Sequence, residues 1–155
     1  NMETNVTRLL AQKRIPHDVL TYPVDEDDLS AQYVAQKIGL ELDRVFKTLV
    51  ALGGDGTHIV FVIPGSCELN LKKAAKTAGQ KSIAMLPLKE LEPVTGYVRG
   101  GCSPIGMKKQ LSTYIDETAL VWDTLSVSAG KRGVQVLLAP AQLADLVGAV
   151  FADLI

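Results

Sequence analysis

The sequence predicts a mixed α+β fold, and three observations carry that prediction. Apolar residues recur at helical spacing at Val6–Lys13, Ala31–Ile38 and Leu71–Ala78, the last two behind cap residues. Two runs rich in β-branched and aromatic residues, Phe46–Leu52 and His58–Ile63, are joined by Gly53-Gly54-Asp55-Gly56 and read as a hairpin. Further short strand patterns crowd the C-terminal third, too closely for a simple βαβ succession. A chain of 155 residues is a natural length for one core, so a single domain over residues 1–155 is expected.

The elements follow in order. The first helix turns Val6, Leu9 and Leu10 inward and ends before Pro16. Asp18–Tyr22 reads as a strand closed by Pro23, and the acidic stretch Asp25, Glu26, Asp27 and Asp28 as a loop. Ser30 is an N-cap for a helix burying Ala31, Val34, Ala35 and Ile38, with Gly39 as its stop. After the hairpin, Asn70 caps a helix through Leu71, Ala74, Ala75 and Ala78 that Gly79 ends. Ser82–Met85 is a short strand, and Pro87 opens a short helical segment ending near Pro93. Residues 100–106 hold too much Gly and Pro for a regular element. Thr113–Asp116, Leu120–Asp123 and Ser126–Ser128 read as strands, and residues 129–133 as a tight turn into a strand at Val134–Leu138. Pro140 starts a last helix with Leu143, Leu146 and Val147 inward.

Composition narrows the function classes. Hydrophobic residues at 47% and charged residues at 21% exclude intrinsic disorder. No apolar run approaches the ~18 residues of a membrane span. Residues 1–14 lack the apolar centre of a signal peptide, so a cytoplasmic protein is expected. Cys67, Cys102, His17 and His58 have no metal-ligand spacing, so neither metal nor cofactor is expected. Net charge is only -1, but Lys72 to Arg132 holds ten basic and five acidic residues. That excess suits a phosphate-binding face, and equally the ordinary Lys content of solvated surfaces.

Three features can carry chemistry. Gly100-Gly101-Cys102-Ser103-Pro104-Ile105-Gly106 fits neither a nucleophile elbow nor a P-loop. Its glycines can expose main-chain N–H groups to an anion. Ser128-Ala129-Gly130-Lys131-Arg132-Gly133 forms a second such loop with two cations attached. Lys47 interrupts an apolar strand on the alternation opposite Phe46. Cys102 would need a base to act as a nucleophile, and no motif ties a histidine to it. Together these groups suggest a pocket for something anionic or esterified.

Phe46-Lys47-Thr48-Leu49, Leu71-Lys72-Lys73-Ala74, the residue 100–106 loop with Lys108-Lys109, the residue 128–133 loop and Phe151-Ala152-Asp153 occur in this order. The set resembles the YbaK/EbsC family of free-standing aminoacyl-tRNA deacylases, related to the editing domain of bacterial prolyl-tRNA synthetases. The resemblance implies a closed, mixed β-barrel-like sheet flanked by helices. It also implies trans-editing of misacylated tRNA, chiefly Cys-tRNA(Pro), with prolyl-tRNA synthetase as a further partner. Carried over by position, Lys47 and Gly101 would be catalytic, Lys47 at the tRNA 3′ end and Gly101 by its main chain near the scissile carbonyl. Tyr22, Leu29, Thr48, Gly100, Cys102, Ser103, Ser128, Gly130 and Gln135 would bind substrate. Lys72, Lys73, Lys108, Lys131 and Arg132 would join Lys47 in holding tRNA. In the cysteine-specific branch the substrate's own thiol would attack its ester, so the protein needs no nucleophile.

The chain differs from that branch in three places. Ala129 stands where Gly is frequent, Gln135 where the cysteine-specific members carry Asp, and the Pro23–Leu29 loop lacks an Asn-Phe pair, with Leu29 nearest the aromatic position. Alternative readings are an Ala-tRNA(Pro) deacylase, a non-catalytic module binding tRNA or the synthetase, and a hydrolase using Cys102.

Overall fold

Thr4 and Thr7 begin the fold by capping each other. Thr7 N–H donates to Thr4 Oγ1 (3.1 Å) and Thr4 N–H to Thr7 Oγ1 (2.8 Å), which starts helix α1 at Asn5–Gln12. The structure is a computed structural model and describes residues 3–155. Residues 1 and 2 of the segment read above for a signal peptide lie outside the described residues. Strand β1 (Asp18–Thr21) leads through the acidic loop to α2 (Ala31–Ile38), where Ser30 Oγ accepts from Tyr33 N–H.

The hairpin is β2 (Phe46–Gly53) and β3 (His58–Pro64), antiparallel from Phe46↔Pro64 to Leu52↔His58. Then come α3 (Leu71–Thr77), β4 (Ile83–Met85) and α4 (Leu91–Thr95). Strands β5 (Ser112–Asp116), β6 (Leu125–Ser128) and β7 (Val134–Leu138) follow, then α5 (Pro140–Val147) and β8 (Val150–Ala152). The larger sheet has the order β4-β2-β3-β5-β8, with β3–β5 and β5–β8 parallel. The smaller sheet has the order β1-β7-β6 and is antiparallel throughout.

Mixed α+β architecture is therefore present, but the expected closed barrel-like sheet is not. The two sheets meet through a parallel bridge between Val45 and Ser126, and neither closes on itself. Val45 C=O accepts from Gly65 N–H (2.7 Å) and its N–H donates to Leu42 C=O (3.1 Å).

Two further expectations are corrected. Leu120–Asp123 is not a strand: residues 117–121 form a 3-10 turn, leaving Leu120 and Val121 exposed. The cause is Asp116, fully buried, whose carboxylate accepts from Thr118 N–H and Thr118 Oγ1 at 3.1 and 2.6 Å and from Leu154 N–H at 2.9 Å. Three donors compensate the buried carboxylate and bend the chain there. Strand β8 was not expected at all.

The main core joins one face of the larger sheet to the smaller sheet, through Phe46, Val50, Val60, Leu125, Val136 and Leu10 among others. The opposite face of the larger sheet packs Ala51, Ile59, Phe61 and Ile63 against Ala74 and Ala75 of α3. Phe61 is fully buried and stacks on Tyr114 at 5.8 Å. Among the described residues no helix is long and apolar enough to cross a membrane.

Candidate functional site

The site grows from a gap at the edge of β2. Along one side β2 is paired with β3 over its whole length. On its other side it meets β6 only at the Val45 bridge and β4 only from Ala51 to Gly53. The stretch between them lines a cavity of about 430 Å³, to which all of Val45 to Val50 contribute. Such a volume suits a small ligand or the end of a larger one. Its apolar wall comes from Val34, Leu86, Leu88 and Leu91. The lining holds two cations, Lys47 and Arg99, and no carboxylate.

The residue 97–106 segment forms another wall, and Tyr97 clamps it. Its hydroxyl donates to Ile105 C=O (2.5 Å) and accepts from Asn5 Nδ2 (2.8 Å). Gly100 lies in the left-handed region at φ +84°, where a Cβ would stand 3.3 Å from Leu29 methyls and Arg132 Nε. Glycine thus lets the wall close against the acidic loop. That loop is itself tied down. Arg132 pairs with Glu26 (2.5 Å) and donates through Nε to Arg99 C=O (2.9 Å).

Seven of the residues singled out from sequence converge on the cavity: Leu29, Lys47, Thr48, Gly100, Cys102, Ser128 and Gln135. Lys47, half-buried, has Nζ 3.5 Å from Gly65 C=O. Gln135 is buried and its Oε1 accepts from Ser126 Oγ (2.5 Å), fixing the amide in place. Ser128 Oγ accepts from Gly130 N–H (3.2 Å). Burial pushes the Cys102 thiol up to about 12, only partly opposed by its hydrogen bond with Thr95. The thiol is therefore protonated at neutral pH.

The others stand apart from the lining. Gly101 donates its N–H to Val98 C=O (2.9 Å), so that group already has a partner within the protein. Ser103 is fully buried and accepts from Ile105 N–H. Tyr22 packs edge-on against Tyr33 at 6.3 Å. Gly130 sits behind the wall, against Asn5 and Tyr97. Lys73 is paired with Asp153 at 3.0 Å and Lys108 reaches Pro93 C=O at 3.3 Å, while Lys72 and Lys131 are exposed on the surface. Neither histidine lines the cavity: His17 bonds Ile15 C=O through Nδ1, and His58 lies in a separate depression with Lys109. Among the described residues no group of three His, Cys, Asp or Glu could hold a metal ion.

Sequence reasoning missed the apolar wall, Arg99 and Ser126. Only the partner strand identifies Ser126, through its place opposite Leu137 beside Gln135.

Residues 25–146 match the model of the aminoacyl-tRNA editing domain. A protein of Enterococcus faecalis whose assigned name is Cys-tRNA(Pro)/Cys-tRNA(Cys) deacylase EbsC is 49% identical over 152 residues, covering 98% of this chain and 93% of that one. The proline–tRNA ligase of Cupriavidus necator is 31% identical over 76% of this chain, which spans 21% of the ligase. A solved structure described as a trans-editing enzyme for prolyl-tRNA synthetase superposes with a TM-score of 0.85 at 26% identity, covering 99% of this chain and 98% of that one.

Proposed function

The chain belongs to the aminoacyl-tRNA editing domain family, and from that premise we propose that it is a trans-editing hydrolase deacylating misacylated tRNA, chiefly Cys-tRNA(Pro). The observation that carries the reading is a cavity with two cations and no protein nucleophile poised beside a base. Cys102 is the candidate thiol in its wall, and burial keeps it protonated. Lys47 and Arg99 suit the phosphates of a tRNA 3′ end.

The missing nucleophile comes with the substrate. The cysteinyl sulfur attacks its own ester carbon, forming an S–C bond as the C–O bond to the ribose breaks. The thiol proton passes to the departing ribose oxygen. The resulting four-membered thiolactone is opened by water to free cysteine. An intramolecular thiol held in line reaches an effective molarity on the order of 10⁵ M or more. The protein need only hold the ester and stabilise the oxyanion. Editing is useful because a synthetic pocket separates small side chains by only about 1–3 kcal/mol per methylene.

In this reading residues 1–155 act as one unit, in the cytoplasm where tRNA is charged, with prolyl-tRNA synthetase as the partner that supplies the error. Of the cations singled out for tRNA, Lys72 and Lys131 are exposed and available to the tRNA body. The neutral Gln135 favours a second reading, an alanyl-specific deacylase, because no carboxylate lines the cavity to engage a thiol. Hydrolysis of Cys-, Ser-, Ala- and Pro-tRNA(Pro) by purified protein separates the two. Cys-tRNA(Pro) is expected to turn over far faster than the near-isosteric Ser-tRNA(Pro). Equal rates would overturn thiol assistance, preference for alanine would establish the second reading, and no turnover would leave a binding module.

A further inference from the structure

Thr48 turns a hydroxyl without a hydrogen-bond partner, and the main-chain edge of β2, toward the cavity. Two bonds fix the phase of the β2–β3 ladder. Gly65 N–H donates to Val45 C=O at 2.7 Å, and Gly53 N–H to Thr57 C=O at 2.8 Å. Hydrogen-bonded and non-bonded pairs alternate along antiparallel strands. Given Lys47↔Ile63 and Leu49↔Phe61, the main chains of Lys47, Leu49 and Ala51 turn to β3. Those of Thr48 and Val50 turn to the opposite edge. There Val50 C=O accepts from Leu86 N–H (3.0 Å), just beyond β4. At the other end β2 meets Ser126 through the Val45 bridge. Thr48 lies between these two partners and belongs to no strand pairing on this edge. Among the described residues, its Oγ1 is the buried side-chain polar atom with no hydrogen-bond partner. Groups of this kind are normally satisfied, and here the cavity leaves space for a ligand to do so.

We propose that Thr48 reads the aminoacyl group as one residue of an added antiparallel strand, its N–H donating to the ester carbonyl oxygen and its C=O accepting from the α-ammonium. The inference rests on the deacylase reading and assigns it a subsite. An aminoacyl ester carries a donor on one side of its Cα and an acceptor on the other, as a peptide residue does. A hydrogen-bonded antiparallel pair exchanges that same couple of bonds. Opposed residues project side chains to one face, so the substrate side chain falls beside Thr48 Oγ1. Phe46 and Val50 flank Thr48 on that face of β2, both buried, which limits the space to a small side chain. The hydroxyl can then bond a sulfur or oxygen there. The pairing also supplies the carbonyl donor that Gly101, bonded to Val98, does not.

The test uses 3′-deoxy-3′-(L-cysteinylamino)adenosine, an amide that resists hydrolysis, titrated into the ¹⁵N-labelled full chain. The Thr48 amide proton should move downfield and become protected from exchange, while that of Leu49, already facing Phe61, stays in place. A 3-mercaptopropionyl analogue, lacking the amino group, should bind at least tenfold more weakly. In Thr48→Val the amide shift should persist, and the preference for the cysteinyl over the alanyl analogue should fall several-fold. Binding that moves other cavity resonances but not the Thr48 amide overturns the proposal, as does equal affinity for the analogue without the amino group. Absence of binding at millimolar concentration overturns it too. Turnover of Cys-tRNA(Pro) without a Thr48 response sinks the strand pairing and leaves the deacylase reading standing. A Thr48 response without turnover of any aminoacyl-tRNA does the reverse.

Discussion

Arg132 holds Glu26 in an ion pair that ties the acidic loop to the cavity wall. The guanidinium side chain is 30% exposed and the carboxylate 70%, so the pair is open enough for RNA phosphate to compete with Glu26. The loop thus occupies a cation that the sequence suggested for tRNA.

Glu26→Gln should release Arg132 for that role. Stability is expected to change by less than about 1 kcal/mol, because the pair is largely solvated. Affinity for tRNA should rise at low salt, and the slope of log K against log salt should steepen by about one phosphate contact. Filter binding across a salt series reads both. An unchanged slope would mean that Arg132 stays on Arg99 C=O and takes no phosphate.

Cys102→Ala should keep most of the deacylase rate and flatten the alkaline limb of stability. The thiol ionises near 9 when unfolded and near 12 when folded. Between those values the unfolded state binds fewer protons, so stability falls as pH rises through the window and is intact below it. The slope attributable to Cys102 approaches about 1.4 kcal/mol per pH unit. Tyr97, also raised mainly by burial, adds to the decline and remains in the variant. Denaturant melts from pH 8 to 11 test this. An inactive but folded Cys102→Ala would instead favour a protein-thiol hydrolase.

Lys47→Ala should lower kcat/KM by tenfold or more and weaken the salt dependence of tRNA binding by one contact. Folding should change little, since the ammonium's one hydrogen bond, to Gly65 C=O, is long at 3.5 Å. Retained turnover at moderate salt would remove Lys47 from the site.

Gly65→Ala tests how α2 is seated against the hairpin. A Cβ at Gly65 would lie 2.4 Å from Ala31 Cβ and 2.8 Å from Val45 C=O. Relief requires α2 to move, at about 1–3 kcal/mol. Ala31 and Val34 line the cavity, so KM should rise along with the loss of stability. Loss of stability with unchanged KM would show that the cavity tolerates the shift.

The helices were legible because their signals are local. Ser30 and Asn70 cap as their chemistry dictates, and Gly39 takes the left-handed conformation expected of a stop. The hairpin carried its own turn in Gly53-Gly54-Asp55-Gly56. The failures were non-local. Leu120 and Val121 have strand propensity, but Asp116 accepting from Thr118 and Leu154 turns them outward. Val150–Ala152 becomes a strand only because β5 offers it a parallel edge. At the site Lys47, Thr48 and Ser128 stood out in motifs, while Arg99 and Ser126 did not. The apolar wall did not, since Leu86, Leu88 and Leu91 look like ordinary helix and strand residues until the gap in β2 places them.

The smaller sheet has a consequence for the order in which the chain acquires its shape. Asp18 of β1 pairs with Leu137 of β7, near the far end of the sequence. During synthesis β1 therefore waits for almost the whole chain before its hydrogen bonds can form. The β2–β3 hairpin can close as soon as Pro64 has emerged, because all its pairs are local. Ser128 and Gln135, which complete the cavity, arrive with the late strands β6 and β7. The nascent protein thus holds Lys47 and Thr48 on a finished hairpin well before it has a pocket. Deacylation can begin only after the last sheet docks.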